Sequence, residues 1–558
     1  MSVYQTHEVE NQPPPLVDYN VYAADRCLRA AVQALGGADF EPQLHAFGAE
    51  IGSGAVIELG HLANRHPPEL RTHDRYGHRI NEVEFHPAWH ALMTLGMAHQ
   101  VHALPWNDAR PGAHVARAAL AFLMNQAENG VCCPLAMSFA AVPVLRRQPE
   151  VAALWEPRLR ATAYDKRPIP AADKTAATIA MAMTEKQGGS DVRANTTRAV
   201  PEGTGGPGAA YRLTGHKWFF SAPMSDAFLT LAYTDEGLSC VLVPRWLPDG
   251  TRNRFTLQRL KDKLGNRSNA SSEIEYHDTW GLLIGEPGRG VATIIDMVNH
   301  TRLDAAICSA ALMRQALAQA THHAAHRSAF QKRLIDQPLM QNVLADLTVE
   351  SEAATLLVMR VAQSFDAAAR DKAARSFARI VTAVAKYWVC KRAPGFVFEA
   401  LECQGGNAYI EESVMPRLYR EAPLNSVWEG CGNVICLDIL RAMAQDPATI
   451  DTYRAELERA RDADPRLDRT IDDLGTLFAN PAILEPRSRQ LAETMALALQ
   501  AALLLQYGRP AVAEAFCATR LDGAGGFAHG TLPEGHDLRA IIDGARPEIS
   551  ENPPIAAA

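Results

Sequence analysis

Glu429 stands between Trp428 and Gly430, with Gly432 and Asn433 close behind. A carboxylate beside a large ring, on backbone loose enough to approach a ligand, suits a general base with a raised pKa. Taken alone, a surface ion pair with Arg417 or Arg420 is the better reading of the same residue.

Three other segments carry side chains that could hold a flat, phosphate-bearing ligand. In MAMTEKQGGSDVRANTT (181–197), Thr184, Gly188, Gly189 and Ser190 combine two hydroxyls with two flexible backbone units. Such a loop can bring N–H groups close to a heterocycle or a pyrophosphate; a plain glycine turn is the even-odds alternative. In GHKWFFSAP (215–223), Trp218, Phe219 and Phe220 are consecutive, so on a strand they cannot all face one core. One or two must meet something else, a planar ligand or a subunit, though taken alone ordinary strand packing is the better reading; Ser221 shares a face with Phe219. In HRSAFQKRLIDQPLMQNVLADL (326–347), Arg327 and Phe330 are three apart and could share one side of a turn, clamping a phosphate and a ring. A helix-end arginine with a capping aromatic is the alternative. His86 and His90, and the group His322, His323 and His326, have helical spacing but no accompanying carboxylate pattern, and no metal is expected there.

These motifs need elements to hold them. Residues 1–180 are rich in Ala, Leu and His, with a helical stretch at 114–128. Residues 181–286 change to short β-like runs, YRLTGH (211–216), AFLTLAY (227–233), SCVLVP (239–244) and SSEIEYH (271–277), separated by turn-rich PEGTGGPG and LPDGTRN. That pattern predicts an antiparallel sheet or small barrel. From 287 to 445 the period is helical: Leu339, Val343, Leu347, Ala354, Val358 and Val361 form one stripe, and Phe377, Val381, Val384 and Trp388 another. Residues 446–558 are helical to Gly523, then carry Gly, Pro and Asp signals and a weakly ordered end, PPIAAA. The expected fold is mainly α with a central β-domain.

Composition narrows the function classes. With 558 residues and 47% hydrophobic content, several domains are expected. A net charge of −8 does not describe a bulk nucleic-acid binder. The ten cysteines show no zinc spacing and read as reduced thiols. The N-terminus, MSVYQTHEVENQPPP, lacks the regions of a signal peptide, and the most apolar stretch, Met495 to Leu505, is too short to span a bilayer. A soluble cytoplasmic protein is expected, with no membrane partner.

The four motifs, in this order and spacing, resemble the acyl-CoA dehydrogenases. That family carries a Thr-Glu…Gly-Ser-Asp loop, a Lys-aromatic-aromatic-Ser strand, an Arg-x-x-Phe element, a Gly-Gly helix end and a Glu-Gly base motif. THEVENQPPPL, ELGHLANRHPPEL (58–70), EFHPAWH (84–90), LKDKLGNRSNASSE (260–273), PRLYREAPLNSVWEG (416–430) and the long C-terminal extension are similar to its bacterial adaptive-response, or alkylation-response, branch.

The resemblance implies an N-terminal helical domain (1–180), a β-barrel (181–286), a four-helix bundle (287–445) and an extra helical domain (446–558). It implies FAD as cofactor, with flavin contacts at Met183, Thr184, Gly189, Ser190, Phe219, Phe220, Ser221, Trp428, Gly430, Gly432 and Asn433. Arg327, Phe330, Gln341, Gly405 and Gly406 would reach a neighbouring subunit's FAD, so a homodimer or homotetramer is implied. Glu429 would take the α-proton of an acyl-CoA while a β-hydride passes to flavin N5. Some family members place the base on another helix just before an Arg; that position here is Thr301, and Asp304 is out of register. Trp428 stands where Tyr is common, which implies a narrower pocket.

The adaptive-response branch also implies the alternative function, duplex DNA binding that protects against alkylation damage, with Arg441 as one contact. From Arg441 onward, however, twelve Arg and no Lys face eighteen Asp and Glu. An extension that neutralises phosphates is expected to be basic.

Overall fold

A computed structural model describes residues 6–479 and 483–547. The terminal PPIAAA and the first five residues of the N-terminal segment lie outside them. The chain divides into two compact units. One comprises Ala55–Ala305 with Val427–Val434; the other comprises residues up to Gly54, Ala306–Ser426 and the chain from Ile435 onward.

The first unit is built around a sheet. Its strands are β3 (Ile179–Ala182), β4 (Arg198–Pro201), β5 (Ala210–Ser221), β6 (Ala227–Thr234), β7 (Gly237–Pro244), β8 (Phe255–Leu260) and β9 (Ser271–Ile284). β6 pairs with β7, β7 with β9, β9 with β5, β5 with β4, and β4 returns to β6, which closes the ring. β3 extends β6 in parallel and β8 lies on β9. Closure removes exposed strand edges. The interior is apolar, with Leu213, Phe220, Phe228, Val241, Leu257 and Ile274 fully or nearly fully buried. β7 reads as an almost continuous apolar run because every residue after Gly237 is buried.

Helices Pro87–Ala98, Ala113–Ala127, Cys132–Leu145 and Pro149–Leu159 belong to the same unit. Ala113–Ala127 is buried nearly all round, as its Ala and Leu content allows. This zone also holds a hairpin the sequence pattern did not reveal, β1 (Glu69–His73) with β2 (Arg79–Glu84).

The second unit is helical. Pro338–Ala368 and Lys372–Glu402 pack against each other, and the helix Gly290–His326 supplies its residues from Ala306 onward. Asp371 caps Lys372–Glu402 by accepting from Ala373 N. Of the two stripes, Leu347, Ala354, Val358 and Val361, and Phe377, Val381, Val384 and Trp388, are buried as core, whereas Val343 is half-buried and Leu339, in the first turn, is exposed. Helices Ala448–Glu458 and Leu484–Tyr507 pack on the same pair, and Leu538–Ala545 adds a helix after Gly523. Met495 to Leu505 is part of a buried helix, and among the described residues no helix is long and apolar enough to cross a membrane.

Candidate functional site

The loop between β3 and β4 is fixed from beneath. Glu185 is buried and accepts from Lys217 Nζ at 2.6 Å, Thr197 Oγ1 at 2.6 Å, Thr196 N at 2.7 Å and Gln187 Nε2 at 2.6 Å. Both ends of the Glu185–Lys217 ion pair are closed to solvent. Burial works to raise the Glu185 carboxyl, but Lys217 and the hydroxyl and amide donors outweigh it and hold it down at about 2. Neither residue was singled out in the sequence. The available signal was a Glu inside one glycine motif and a Lys inside the next, each in an apolar run.

Above this anchor the loop turns back on itself. Glu185 and Gly188 exchange backbone hydrogen bonds, and Trp218 N donates to Thr184 O at 2.7 Å. Gly189 lies so close to Thr184 that a Cβ there would sit 2.5 Å from its hydroxyl oxygen. Met183 and Thr184 are half-buried and Ser190 is exposed.

On β5 the pairing with β9 shifts between Lys217 and Phe220. This bulge breaks the alternation and turns both Trp218 and Phe219 outward. Phe219 is 49% exposed, and Lys261 Nζ lies 3.2 Å from the Trp218 ring centre and 4.7 Å from that of Phe219. Phe220 points the other way. It is fully buried, with its ring centre 4.5 Å from that of Phe228. The expectation of a ligand contact at Phe220 is therefore corrected: the strand presents Phe219 and Ser221, and Phe220 belongs to the barrel core.

Ser221 Oγ is 3.3 Å from Ser271 Oγ, which accepts from Lys263 Nζ at 3.0 Å. Cys133, in the first turn of Cys132–Leu145, joins this group. Burial pushes its thiol up to about 12; Glu429 adds to that, whereas Lys263, Asn269 and Ser221 act in the opposite sense.

Glu429 adopts a left-handed backbone (φ 57°), as does Gly430 (φ 104°). For a glutamate this is costly and must be held from outside. Arg302 Nε supplies a hold by donating to the Glu429 carbonyl at 3.1 Å. Glu429 Oε2 is closed to solvent, and Trp428 packs against the sheet unit's core. Gly432 and Asn433 open the helix Gly432–Gln445. The rival positions are occupied otherwise. Thr301 donates back to Met297 and Val298 carbonyls, and Asp304 is ion-paired with Arg117. Arg420 pairs with Glu411.

These residues fit a flat heterocycle with a phosphate tail. They offer a half-exposed ring at Phe219, hydroxyls at Thr184, Ser190 and Ser221, and a tight loop in which Gly189 packs against Thr184 while Gly188 leaves its main chain open. A water-shielded carboxylate oxygen stands in the same unit.

The remaining predicted contacts lie in the helical unit. Arg327 follows the helix Gly290–His326, and Phe330 sits at the tip of a hairpin, β10 (Ser328–Ala329) with β11 (Lys332–Arg333). Phe330 and Gln331 both have positive φ (53° and 63°), and Phe330 is 95% exposed. Gln341 is in the first turns of Pro338–Ala368, and Gly405 and Gly406 open a 3-10 turn after Glu402. Arg441 Nη1 lies 3.6 Å from Asp438 Oδ1. Other arginines of the extension are also committed: Arg459 to Glu456, Arg461 to Glu458 and Asp472, Arg466 to Asp464 and Glu514, Arg469 to Asp522. Of the histidines, His86 caps Pro87–Ala98, His90 meets Tyr164, and His322 meets the Pro14 carbonyl.

Comparison with known proteins agrees along most of the chain. Residues 11–166 match the family described as the adaptive response protein AidB N-terminal domain. Residues 180–279 match the acyl-CoA dehydrogenase middle domain and 288–444 the acyl-CoA dehydrogenase C-terminal domain. AidB of Escherichia coli (strain K12) is 45% identical over 525 residues, covering 94% of this chain and 96% of that protein. Acyl-CoA dehydrogenase family member 11 of Caenorhabditis elegans is 31% identical over 437 residues, covering 75% and 69%. The solved structure of Caenorhabditis elegans ACDH-11 in complex with C11-CoA superposes with a TM-score of 0.83 at 26% identity, covering 93% of each chain.

Proposed function

Because the chain belongs to the acyl-CoA dehydrogenase family, whose cofactor is FAD, we propose that it oxidises the CH–CH bond beside the thioester of an acyl-CoA, with Glu429 as the base. The observation that carries this reading is the solvent-shielded Oε2 of Glu429, on a main chain whose carbonyl Arg302 holds, in the unit that also bears the Thr184–Ser190 loop and Phe219. The C11-CoA bound by the Caenorhabditis elegans relative supports a CoA thioester as substrate class.

When bound, FAD supplies the acceptor for the β-hydride. The chain's own residues do the rest. Thr184, Gly189, Ser190, Phe219 and Ser221 hold and orient the cofactor. The Glu429 carboxylate takes the α-proton, and its dry setting favours that transfer. Trp428 narrows the space beside it. Arg327, Phe330, Gln341, Gly405 and Gly406 reach the FAD of a neighbouring copy in a cytoplasmic homodimer or homotetramer; the exposure of Phe330 (95%), Leu339 (85%) and Tyr409 (80%) supports such a contact.

The test is flavin bleaching by a panel of acyl-CoAs. Glu429→Gln should keep its bound flavin and lose bleaching rate by about 10²–10⁴-fold. A variant that bleaches as fast as the parent overturns the assignment. The adaptive-response N-terminal domain match favours a second reading, a DNA-protecting flavoprotein. Duplex titration at low salt separates the two, since absence of binding there removes the second.

A further inference from the structure

The segment preceding the first helix is fastened to both elements assigned above to a neighbouring copy's flavin. Asn11 has a left-handed backbone (φ 56°), which Asn tolerates better than most residues. Its side-chain amide pairs with Ser328 as a strand would: Nδ2 donates to Ser328 O at 2.8 Å, and Ser328 N donates to Oδ1 at 2.7 Å. Its own carbonyl accepts from Arg327 Nη1 at 2.6 Å. Gln12 Oε1 accepts from Asn407 Nδ2 at 3.1 Å, inside the turn that begins with Gly405. Pro14 O lies 2.8 Å from His322 Nε2, one turn before the helix ends.

Three residues of the stretch Asn11–Pro14 thus touch the helix end, the hairpin and the glycine turn, all within the helical unit. Asn11 and Arg327 are exposed or half-exposed, so these bonds contribute little to global stability. Their effect is geometric. An arginine has five N–H donors and a long flexible stem. Committing Nη1 to the Asn11 carbonyl fixes the stem and leaves the other donors for an anion.

We propose that Asn11–Pro14 is a clasp that orients Arg327 and the Gly405–Asn407 turn toward the pyrophosphate of a bound flavin dinucleotide, with Asn11 as a positioning residue. The inference rests on the proposed role of Arg327. Ordering the side chain in advance lowers the entropy lost when the cofactor binds.

The experiment uses full-length protein stripped of flavin and reconstituted with FAD, with the dissociation constant read by fluorescence. Asn11→Ala should weaken FAD about tenfold, on the scale of one unfixed long side chain. The thermal midpoint of the flavin-free chain should not move. Asn11→Asp keeps the left-handed preference and the acceptor for Ser328 N, and should restore most of the affinity. Arg327→Ala should weaken FAD at least as much, and adding Asn11→Ala to it should change nothing further. An unchanged affinity in Arg327→Ala overturns the role of Arg327 and the clasp with it. A weakened Arg327→Ala beside an unaffected Asn11→Ala overturns the clasp alone. So does a loss in Asn11→Ala that lowers the flavin-free midpoint or adds to that of Arg327→Ala.

Discussion

The Thr184–Ser190 loop should fail when the ion pair beneath it is broken, and the size of that failure can be worked out. Glu185→Gln keeps the shape of the side chain and removes its charge. Lys217 is then left with its ammonium buried, Leu231 O at 2.8 Å and a neutral amide in place of the carboxylate. Removing one partner of a buried pair costs about 3–5 kcal/mol, chiefly the desolvation of the charge left behind. The same change weakens four or more donors' bonds to the carboxylate, from Thr196, Thr197 and Gln187 as well as Lys217. Urea unfolding of the flavin-free chain should therefore show a loss of about 3–5 kcal/mol. Glu185→Gln with Lys217→Met should recover part of it, because no bare charge remains. The pH dependence has a definite sign. The folded carboxyl is held at about 2, below its ordinary 4.5. Its contribution is complete above about 4.5, and is lost as pH falls through 4.5 toward 2. The variant should lack that component of acid sensitivity. A loss below about 1 kcal/mol, or a double variant no better than the single one, refutes the view that this pair supports the loop.

Three further outcomes are expected. Arg302→Met removes the donor to the Glu429 carbonyl; flavin should stay bound while its reduction by acyl-CoA slows about 10²-fold in stopped flow, as for a misplaced catalytic group, and an unchanged rate counts against the hold. Gly189→Ala puts a Cβ 2.5 Å from Thr184 Oγ1, so the loop must shift; the flavin-to-protein absorbance ratio of the purified variant should fall, and a parental ratio contradicts the close approach. Because Arg441, Arg459, Arg461, Arg466 and Arg469 are committed to acids, duplex binding through the extension should show a log–log salt slope shallower than about −3, and a slope near −6 or steeper shows those pairs opening onto phosphates.

What could be read from the sequence was local. The runs 211–216, 227–233, 239–244 and 271–277 fall within β5, β6, β7 and β9, because strand spacing and turn residues are written over six to eight neighbouring positions. β3 (Ile-Ala-Met-Ala) and β4 are four residues long, too short for a period to emerge, and β1–β2 lies in a zone whose Ala, Leu and His content speaks for helix. The three rings of Trp218, Phe219 and Phe220 announced a conflict on one strand, but only the bulge decides which of them turns inward. Arg327 and Phe330 suggested one side of a turn; instead the helix stops at His326 and a hairpin follows, with two non-glycine residues at positive φ that no turn signal marks.

The site divides along the same line. Thr184, Gly189 and Ser190, the proposed cofactor contacts, stand together in sequence because they are neighbours in one loop. Their support was not, since Glu185 and Lys217 are 32 positions apart, and Arg302 and Glu429 are 127 apart. No periodicity links such pairs; only the folded sheet and the N-terminal part of the helix Gly290–His326 do. Glu429 shows what this means for chemistry. Its Trp and Gly neighbours are compatible with the proposed base without singling it out, and its backbone is left-handed, a conformation that a glutamate leaves readily when unsupported. The main-chain geometry at the proposed base therefore rests on Arg302 as well as on Glu429. A chain that kept the Trp-Glu-Gly motif and lost the distant arginine would still carry the same local signal in sequence and would lose the hold on the Glu429 carbonyl.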